Sequence, residues 1–421
     1  MGCAWARFVG PKGAHVEVKW METEWPTVDL ARPEIWREPA GLLSDWFDKP
    51  FSAGRIASTG GLMLFRHADV ERALCDGTLG AMGTRAFEQI GWTQGPFVEW
   101  MRHNVVALDP PDHTRLRGLV SRVFTPRRVN QIAPEVYQVA HALADQMADS
   151  TEVDFYESFA QRLPLTIICS MLGIPEVDHS QMQTWTEAIN AASGIPRVSA
   201  REAADDAIES MGLYVKALVS DRRRQPKSDL LTALVESHDH DERLSAEELP
   251  AMVIQILVAG HETTRNLIGN GLFTLVRHPD QMADLRSDSS LIENAVEEVI
   301  RYEPSLIWVA RVPKQPIEIA GQEVQEGELI LLNLAAANRD PQVHKEPQNF
   351  DVHRQGIRVL SFGMGAHFCI GASLARLEGR IAFEVLLNRF SEIHFSGPEP
   401  QFAAYTALRT LEALPLSLRA A

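Results

Sequence analysis

Ten residues near the end of the chain constrain the fold more than any other segment. They read Phe362-Gly-Met-Gly-Ala-His-Phe-Cys369-Ile-Gly371. Gly363, Gly365 and Gly371 permit backbone angles and close approaches that side chains would block. Apolar residues recur at helical spacing after Cys369, so the cysteine is expected at a helix N-terminus, where the dipole and free N–H groups favour a negative sulfur. The segment therefore predicts a thiolate that binds a metal from one side.

Three interpretations compete for this thiolate. A haem iron held by one cysteinate receives electron density that favours O–O cleavage. A buried, inert cysteine is the plain alternative, but it leaves three neighbouring glycines without a reason. A zinc site is disfavoured because no second Cys or His stands at ligand spacing from Cys369. The nearest candidate, His367, is only two residues away. We therefore expect Cys369 to bind haem.

The bulk composition is that of an ordinary globular protein, with 45% hydrophobic and 23% charged residues among 421. No linker, repeat or low-complexity tract is present, and we expect one large, mainly helical unit with small β-sheets. A formal net charge of −16 argues against nucleic-acid binding. No apolar run is long enough for a membrane span or resembles a secretory signal. Four scattered cysteines indicate a reducing, cytoplasmic location.

Periodicity places most of the expected elements. Helices are predicted over 112–124, 133–148, 155–172, 179–192, 201–223, 246–277 and 289–302. Ser245-Ala-Glu-Glu248 matches a capping box and marks the start of the longest helix. Strands are predicted near 62–65, 317–319, 322–324 and 329–332. Residues 79–107, punctuated by Gly91, Gly95 and Pro96, are expected to be loop.

The longest predicted helix carries Ala259-Gly-His-Glu-Thr-Thr264. A glycine in mid-helix costs about 1 kcal/mol against alanine, and one reason for Gly260 is room for a flat ligand or a small gas molecule. The acid Glu262 and the alcohol Thr263 are suited to passing protons to dioxygen; a helix with an ordinary surface Glu is the alternative. A metalloprotease His-Glu-x-x-His pattern is excluded because Arg265 replaces the second histidine.

Charged residues form two further groups. Glu298 and Arg301 stand three apart on a predicted helix and can pair, although most such pairs lie at the surface and contribute little. His113 and Arg117 share a helical face that suits a carboxylate. A basic island surrounds them, made of Arg115, Arg122, Arg127 and Arg128. It suits an acidic partner, with a solvated surface as the alternative.

Together these motifs resemble those of a cytochrome P450. The resemblance runs from about residue 55 to the end, with the motifs in family order. The motif Phe-x-x-Gly-x-x-x-Cys-x-Gly is highly specific, and the Glu-x-x-Arg that precedes it in the chain supports the same family. It implies a single domain shaped like a triangular prism over 51–421, preceded by residues 1–50 packed on it or partly flexible. It also implies a haem-thiolate monooxygenase that inserts one atom of dioxygen into a C–H bond.

The resemblance also implies roles for matching residues. Cys369 becomes the axial ligand of haem b, and Glu262 and Thr263 deliver protons during oxygen activation. Further haem contacts, including those to the propionates, are implied for His113, Arg117, Ala259, Arg311, Phe362, Gly363, His367 and Gly371. A buried structural cluster that supports the haem loop is implied for Glu298, Arg301 and Arg354. Val359 stands where many relatives have His, which removes one possible propionate contact.

Partners and substrate follow from the same resemblance. The soluble bacterial type takes electrons from NAD(P)H through a ferredoxin or flavodoxin and its reductase, and an acidic ferredoxin gives the basic island a use. The pocket is expected to be apolar, with candidate substrate residues Phe97, Gln255, Val258, Ile307, Val309 and Leu408. A small to mid-sized apolar organic molecule is expected. A peroxide-driven haem peroxygenase and a non-catalytic haem sensor remain as alternatives.

Overall fold

Helices dominate the computed structural model, which describes residues 5–9, 15–19, 25–41, 44–49, 51–193, 198–241 and 245–421. The longer α-helices are His67–Cys75, Pro96–His103, Asp112–Val123, Ala133–Ala148, Arg162–Leu172, His179–Ser193, Arg201–Arg224, Leu230–Asp241, Glu248–Arg277, Pro279–Ser287, Ile292–Tyr302 and Ala372–Arg389. Short helical segments are Glu34–Arg37, Ser44–Trp46, Arg85–Gln89, Pro126–Gln131, Tyr156–Ala160, Glu176–Asp178, Val198–Ala200, Ser289–Leu291, Leu334–Ala337 and Gly365–His367.

Small sheets accompany the helices. The largest lies in the strand order Thr27–Val28, Ala53–Ile56, Leu62–Leu64, Ile330–Asn333, Trp308–Pro313 and Leu79–Ala81. Its pairs are antiparallel, except that the first two strands run parallel, as do the third and fourth. The remaining strands form antiparallel ribbons: Phe390–Phe395 with Pro415–Ala420 and Glu152–Asp154, Ile317–Ile319 with Gln322–Val324, and Trp5–Val9 with His15–Lys19. This architecture confirms the mainly helical class with small sheets.

The longest helix, Glu248–Arg277, runs through the core. Its start is fixed by the predicted capping box: Ser245 N donates to Glu248 Oε2 at 2.7 Å, and Glu248 N donates to Ser245 Oγ at 3.2 Å. It packs on Arg162–Leu172 and on Ala372–Arg389. Most of its side chains are buried as a result.

Gly260 has a packing role in this helix. A Cβ built on Gly260 would lie 2.8 Å from Ile168 Cγ1, closer than real Cβ contacts allow. The missing side chain therefore lets Glu248–Arg277 approach Arg162–Leu172 closely. Close helix packing is therefore a second reason for this glycine, and room for a ligand stays a prediction, since Gly260 is only half-buried.

The prediction of loop over residues 79–107 is also wrong. Within it, Arg85–Gln89 and Pro96–His103 are helical. Proline at the first helical position loses no hydrogen bond, because the first turn leaves its N–H groups unpaired. Gly95, with φ +122°, precedes the helix, and Asp205 Oδ1 accepts the Phe97 N–H at 2.9 Å. The Gly95-Pro96 pair thus starts a helix where the sequence predicts a loop.

Part of residues 1–50 packs against the rest of the chain. Trp36 is fully buried, and its ring centroid lies 4.6 Å from that of Trp308. Arg409 donates to the carbonyl oxygens of Trp36 at 3.2 Å and Arg37 at 2.6 Å. These contacts join residues 36–37 to the C-terminal part of the chain, whereas a domain boundary at residue 50 stays a prediction.

Candidate functional site

Cys369 lies in a tight turn just before the helix Ala372–Arg389. Gly363 and Gly365 both have φ +66°, in the left-handed region that favours glycine. A Cβ on Gly365 would also lie 3.0 Å from the Leu74 carbonyl oxygen. Cys369 N donates to Phe362 O at 2.8 Å, which closes the turn. The sequence therefore folds locally so that a cysteine side chain is presented at the start of a helix.

Groups around the Cys369 sulfur favour the thiolate, whereas burial favours the neutral thiol. Burial raises the pKa of the thiol, while the N–H groups of Gly371 and Ala372 and the guanidiniums of Arg117 and Arg376 lower it. Gly371 precedes the helix with φ −83°, which any residue adopts, so backbone geometry does not require glycine there. Binding of a metal cation would tip the balance, since a coordinated thiol is deprotonated outright.

A cation cluster gathers beside this loop, made of His113, Arg117, Arg311 and His367. The two imidazole centroids are 4.1 Å apart, and Arg117 donates to the carbonyl oxygen of Phe368, next to Cys369. Burial lowers the pKa of all four groups. For His367, burial with the nearby charges of His113 and Arg311 lowers the pKa to about 4. The lowered pKa values favour neutral imidazoles at His113 and His367, so Arg117 and Arg311 carry the positive charge of the cluster.

The cation cluster fits the carboxylates of a haem. Its acidic neighbour Asp109 already contacts Lys314 Nζ at 3.6 Å and accepts the Ala81 N–H at 3.1 Å. Within the described ranges no ion pair joins Arg117 or Arg311 to a carboxylate. The buried His113 Nδ1 has no hydrogen-bond partner in the part of the chain that the structure describes. Buried polar groups in this condition need a partner, and two haem propionates would provide one.

Accessible residues on the longest helix form one stripe. Gln255, Ala259 and Thr263 keep exposed surface and follow each other at one turn. Ile256 and Gly260 beside them are half-buried, whereas Leu257, Val258, His261 and Glu262 are buried. Thr263 Oγ1 donates to Ala259 O at 2.8 Å. Gln255, Ala259 and Thr263, which we call the accessible stripe, thus present one hydroxyl and one primary amide.

Glu262 lies off the accessible stripe. Its side chain is 5% exposed, and its Oε2 lies 3.6 Å from Arg265 Nη2. Burial raises the pKa of Glu262, and Arg265 opposes the shift. Arg265 in turn donates to Gln161 Oε1 at 3.3 Å. The acid and the alcohol are therefore sequence neighbours on different faces of the helix, and the Thr263 hydroxyl donates to a backbone oxygen rather than to Glu262.

Glu298, Arg301 and Arg354 come together in the core. Arg301 donates to both oxygens of Glu298 at 2.7 Å, and Arg354 Nε lies 3.1 Å from each of them. Asp351 N also donates to Glu298 Oε1, at 3.0 Å. Arg301 further binds the carbonyl oxygens of Asn338, Pro347 and Asn349. One carboxylate thus links the helix Ile292–Tyr302 to the segment that leads into the Cys369 turn.

The predicted substrate residues occupy different environments. Gln255, Val309 and Leu408 keep accessible surface, and Val258 is 6% exposed. Phe97 and Ile307 are fully buried. Phe97 stacks on Trp92 at 4.8 Å between centroids, and Ile307 packs in a core with Trp36 and Phe65. Phe97 and Ile307 therefore belong to the core in this structure.

Asn104 is a site residue that sequence reasoning missed. It follows the helix Pro96–His103 and is 2% exposed. Its Nδ2 donates to Gln255 Oε1 at 2.5 Å. No local pattern signals this contact, because the two residues are 151 positions apart.

The predicted basic island is smaller than expected. Arg115 binds both oxygens of Glu248, at 2.6 and 3.0 Å, and Asp112 at 3.1 Å. Its charge is therefore largely compensated, and including it in the island was wrong. Arg122, Arg127 and Arg128 are exposed, and Arg122 lines a surface groove along the helix Asp112–Val123.

Residues 62–410 match the family model described as Cytochrome P450. The chain belongs to the cytochrome P450 family. This cytochrome P450 is 42% identical over 325 residues to the cytochrome P450 monooxygenase PikC of Streptomyces venezuelae, covering 76% of this chain and 77% of that protein. It is 38% identical to the 6-deoxyerythronolide B hydroxylase of Saccharopolyspora erythraea, over 75% of this chain and 78% of that one.

Solved structures agree with this assignment. The cytochrome P450 CYP109Q5 from Chondromyces apiculatus superposes with a TM-score of 0.84 at 31% identity, over 94% of this chain and 99% of that one. The chain is thus an oxygen-incorporating oxidoreductase, and its family implies haem, dioxygen and redox partners. In the described ranges, none of the helices combines the length and apolar character needed to cross a membrane.

Proposed function

We propose that this cytochrome P450 binds haem b through Cys369 and inserts one oxygen atom into a C–H bond of a small to mid-sized apolar molecule, by hydroxylation or oxidative demethylation. One observation carries the proposal: Arg117 contacts the Cys369 turn and belongs to a cluster in which, among the described residues, neither Arg117 nor Arg311 forms an ion pair with a carboxylate. A soft thiolate beside two such arginines suits a ligand with an iron centre and two carboxylates. A hydroxylase among the relatives supports the reaction type.

The residues divide into three tasks. Cys369 would hold the iron, and His113, Arg117, Arg311 and His367 would hold the propionates. When bound, thiolate-ligated haem supplies reductive activation of dioxygen, which uses two electrons and two protons and leaves one oxygen atom in water and the other in product. Ala259 leaves the accessible stripe without bulk, so that a flat group and a substrate can approach it.

Proton supply is the third task. The Thr263 hydroxyl is the proton donor on the accessible stripe. Glu262 is buried with a raised pKa, so it keeps its proton at higher pH than an exposed carboxyl does. Because the two groups face different sides, a water molecule or a side-chain rotation must carry the proton from Glu262 to Thr263. Arg265, 3.6 Å from Glu262, limits the pKa shift and keeps the acid able to release its proton.

Electrons are proposed to come from NAD(P)H through a reductase and a ferredoxin or flavodoxin in the cytoplasm. The exposed Arg122, Arg127 and Arg128 lie on and after the helix that carries Arg117, and an acidic partner suits them. Charge reversal at Arg127 and Arg128 should slow reduction by an acidic ferredoxin, and more so at low salt. Reversal of Arg224, exposed at the end of Arg201–Arg224, is the matched control. Equal rates in both variants would refute this docking surface.

Labelled oxygen separates the alternatives. A ligand that shifts the haem spin state is turned over with ¹⁸O₂, NADPH, a ferredoxin and its reductase, and product is analysed by mass spectrometry. The proposal predicts one ¹⁸O atom in a hydroxylated product, or in the formaldehyde released when the reaction is a demethylation. Product formed only from added peroxide indicates the peroxygenase, and spectral binding without product from any ligand indicates the sensor; either result would refute the proposal.

A further inference from the structure

The side-chain amides of Asn104 and Gln255 are hydrogen-bonded to each other at the accessible stripe, and a backbone N–H group fixes their orientation. The Val106 N–H donates to Asn104 Oδ1 at 3.0 Å. A backbone N–H can only donate, so the oxygen of the Asn104 amide must face Val106. Its NH₂ group then faces Gln255, and Nδ2 donates to Gln255 Oε1 at 2.5 Å. The orientation of the Gln255 amide is thereby fixed by hydrogen bonding.

The NH₂ group of Gln255 is left as a free donor. Among the described residues this NH₂ group has no hydrogen-bond partner. It is also not fully buried, so it contacts accessible space. Gln255 stands about 6 Å from Ala259 and about 12 Å from Thr263 along the helix axis, at 1.5 Å per residue. The free donor thus lies on the stripe where we place the substrate.

We infer that Gln255 Nε2 donates a hydrogen bond to a neutral acceptor oxygen of the substrate, such as a ketone, ester or ether oxygen. The inference rests on the proposed function and narrows its substrate class to an apolar molecule that carries such an oxygen. The stripe has no cation, and a carboxylate buried against it would lack a countercharge. An NH₂ group only donates, so a pure hydrocarbon leaves it unpaired.

Asn104 acts as a positioning residue in this arrangement. It holds the glutamine oxygen, so the donor keeps one direction instead of rotating freely. A merely structural role for the Asn104–Gln255 contact is the rival, since the same bond ties the end of Pro96–His103 to the longest helix. Gln255→Glu separates the two roles: it keeps an oxygen for Asn104 to bind and removes the NH₂ donor.

The test is a spectral titration of the holoprotein with matched ligand pairs, 2-adamantanone against adamantane and cyclododecanone against cyclododecane. Gln255→Glu and Gln255→Leu should weaken ketone binding about three- to tenfold, the worth of one hydrogen bond. Hydrocarbon binding should change less than twofold. Melting temperatures of both variants check the fold, and only the first should keep the Asn104 contact.

Three results would overturn the inference: no ketone binds the wild-type protein, ketone and hydrocarbon lose equal affinity, or neither loses any. Each preparation is first reduced and exposed to carbon monoxide. A wild-type sample that lacks the red-shifted band of thiolate-ligated haem would refute both the proposed function and this inference. A sample that has the band but shows no ketone-specific loss sinks the inference alone.

Discussion

Replacing Glu298 by alanine should remove the centre of a buried ionic cluster. The Glu298 carboxylate accepts from Arg301 at 2.7 Å to each oxygen, from Arg354 at 3.1 Å and from the Asp351 N–H at 3.0 Å. The side chains of Glu298 and Arg301 are fully buried, and that of Arg354 is 9% exposed. The substitution therefore leaves two guanidinium groups without a countercharge in the core.

The expected cost follows from this burial. Removing one partner of a buried ion pair destabilises by about 3–5 kcal/mol, because the remaining charge stays desolvated. The backbone carbonyls of Pro347 and Asn349 still bind Arg301, which places the cost inside that range rather than above it. Folded domains are stable by only about 5–15 kcal/mol in total. A single carboxylate thus accounts for a large part of the stability of this region.

The neighbouring residue gives a matched control. Glu297 also pairs with an arginine, Arg376, but the two side chains are 30% and 36% exposed. Solvent screens such pairs, and Glu297→Ala should cost no more than about 1 kcal/mol. Urea unfolding of the haem-loaded proteins, followed by circular dichroism and haem absorption, gives the two free energies. Equal losses in Glu298→Ala and Glu297→Ala would refute the reasoning.

Other predictions concern single sites. Gly260→Ala should destabilise the fold by about 1–3 kcal/mol because its Cβ meets Ile168. Gly212→Ala, with open space around it, should stabilise the fold by up to about 1 kcal/mol. Thermal melts that rank the two variants the other way would contradict the packing. Burial raises the pKa of Glu378 well above 4.5, so the folded chain keeps a proton that the unfolded chain loses, and stability should fall as pH rises above about 4.5. Glu378→Gln should reduce this loss of stability, measured by urea titrations at pH 5 and pH 8. An unchanged difference between the two pH values would contradict the role of Glu378. Thr263→Ala should release more hydrogen peroxide per NADPH consumed, and unchanged coupling would remove Thr263 from proton supply.

Features set by neighbouring residues were predictable from the sequence. The capping box at Ser245 and Glu248 forms as predicted, since its two hydrogen bonds span three residues. The positive φ angles of Gly363 and Gly365 follow from the same local logic. The motif around Cys369, together with Glu298 and Arg301, is specific enough to indicate the family from the sequence alone.

Features set by distant contacts were not predictable. Nothing near Gly260 in sequence shows that Ile168 fills the space beside it. Nothing near Arg115 in sequence shows that Glu248, 133 residues away, binds it at 2.6 Å. The Asn104 contact that orients Gln255 spans 151 residues in the same way. Tertiary packing decides these environments, and periodicity or charge patterns along the chain do not encode them directly.

The central claim is that Cys369 binds haem iron as a thiolate. The most direct measurement is the absorption spectrum of the reduced, carbon monoxide-bound protein beside that of Cys369→Ser. The account predicts a strongly red-shifted band in the wild-type protein and its loss in Cys369→Ser. A wild-type protein without that band, or a Cys369→Ser protein that keeps it, would contradict the account.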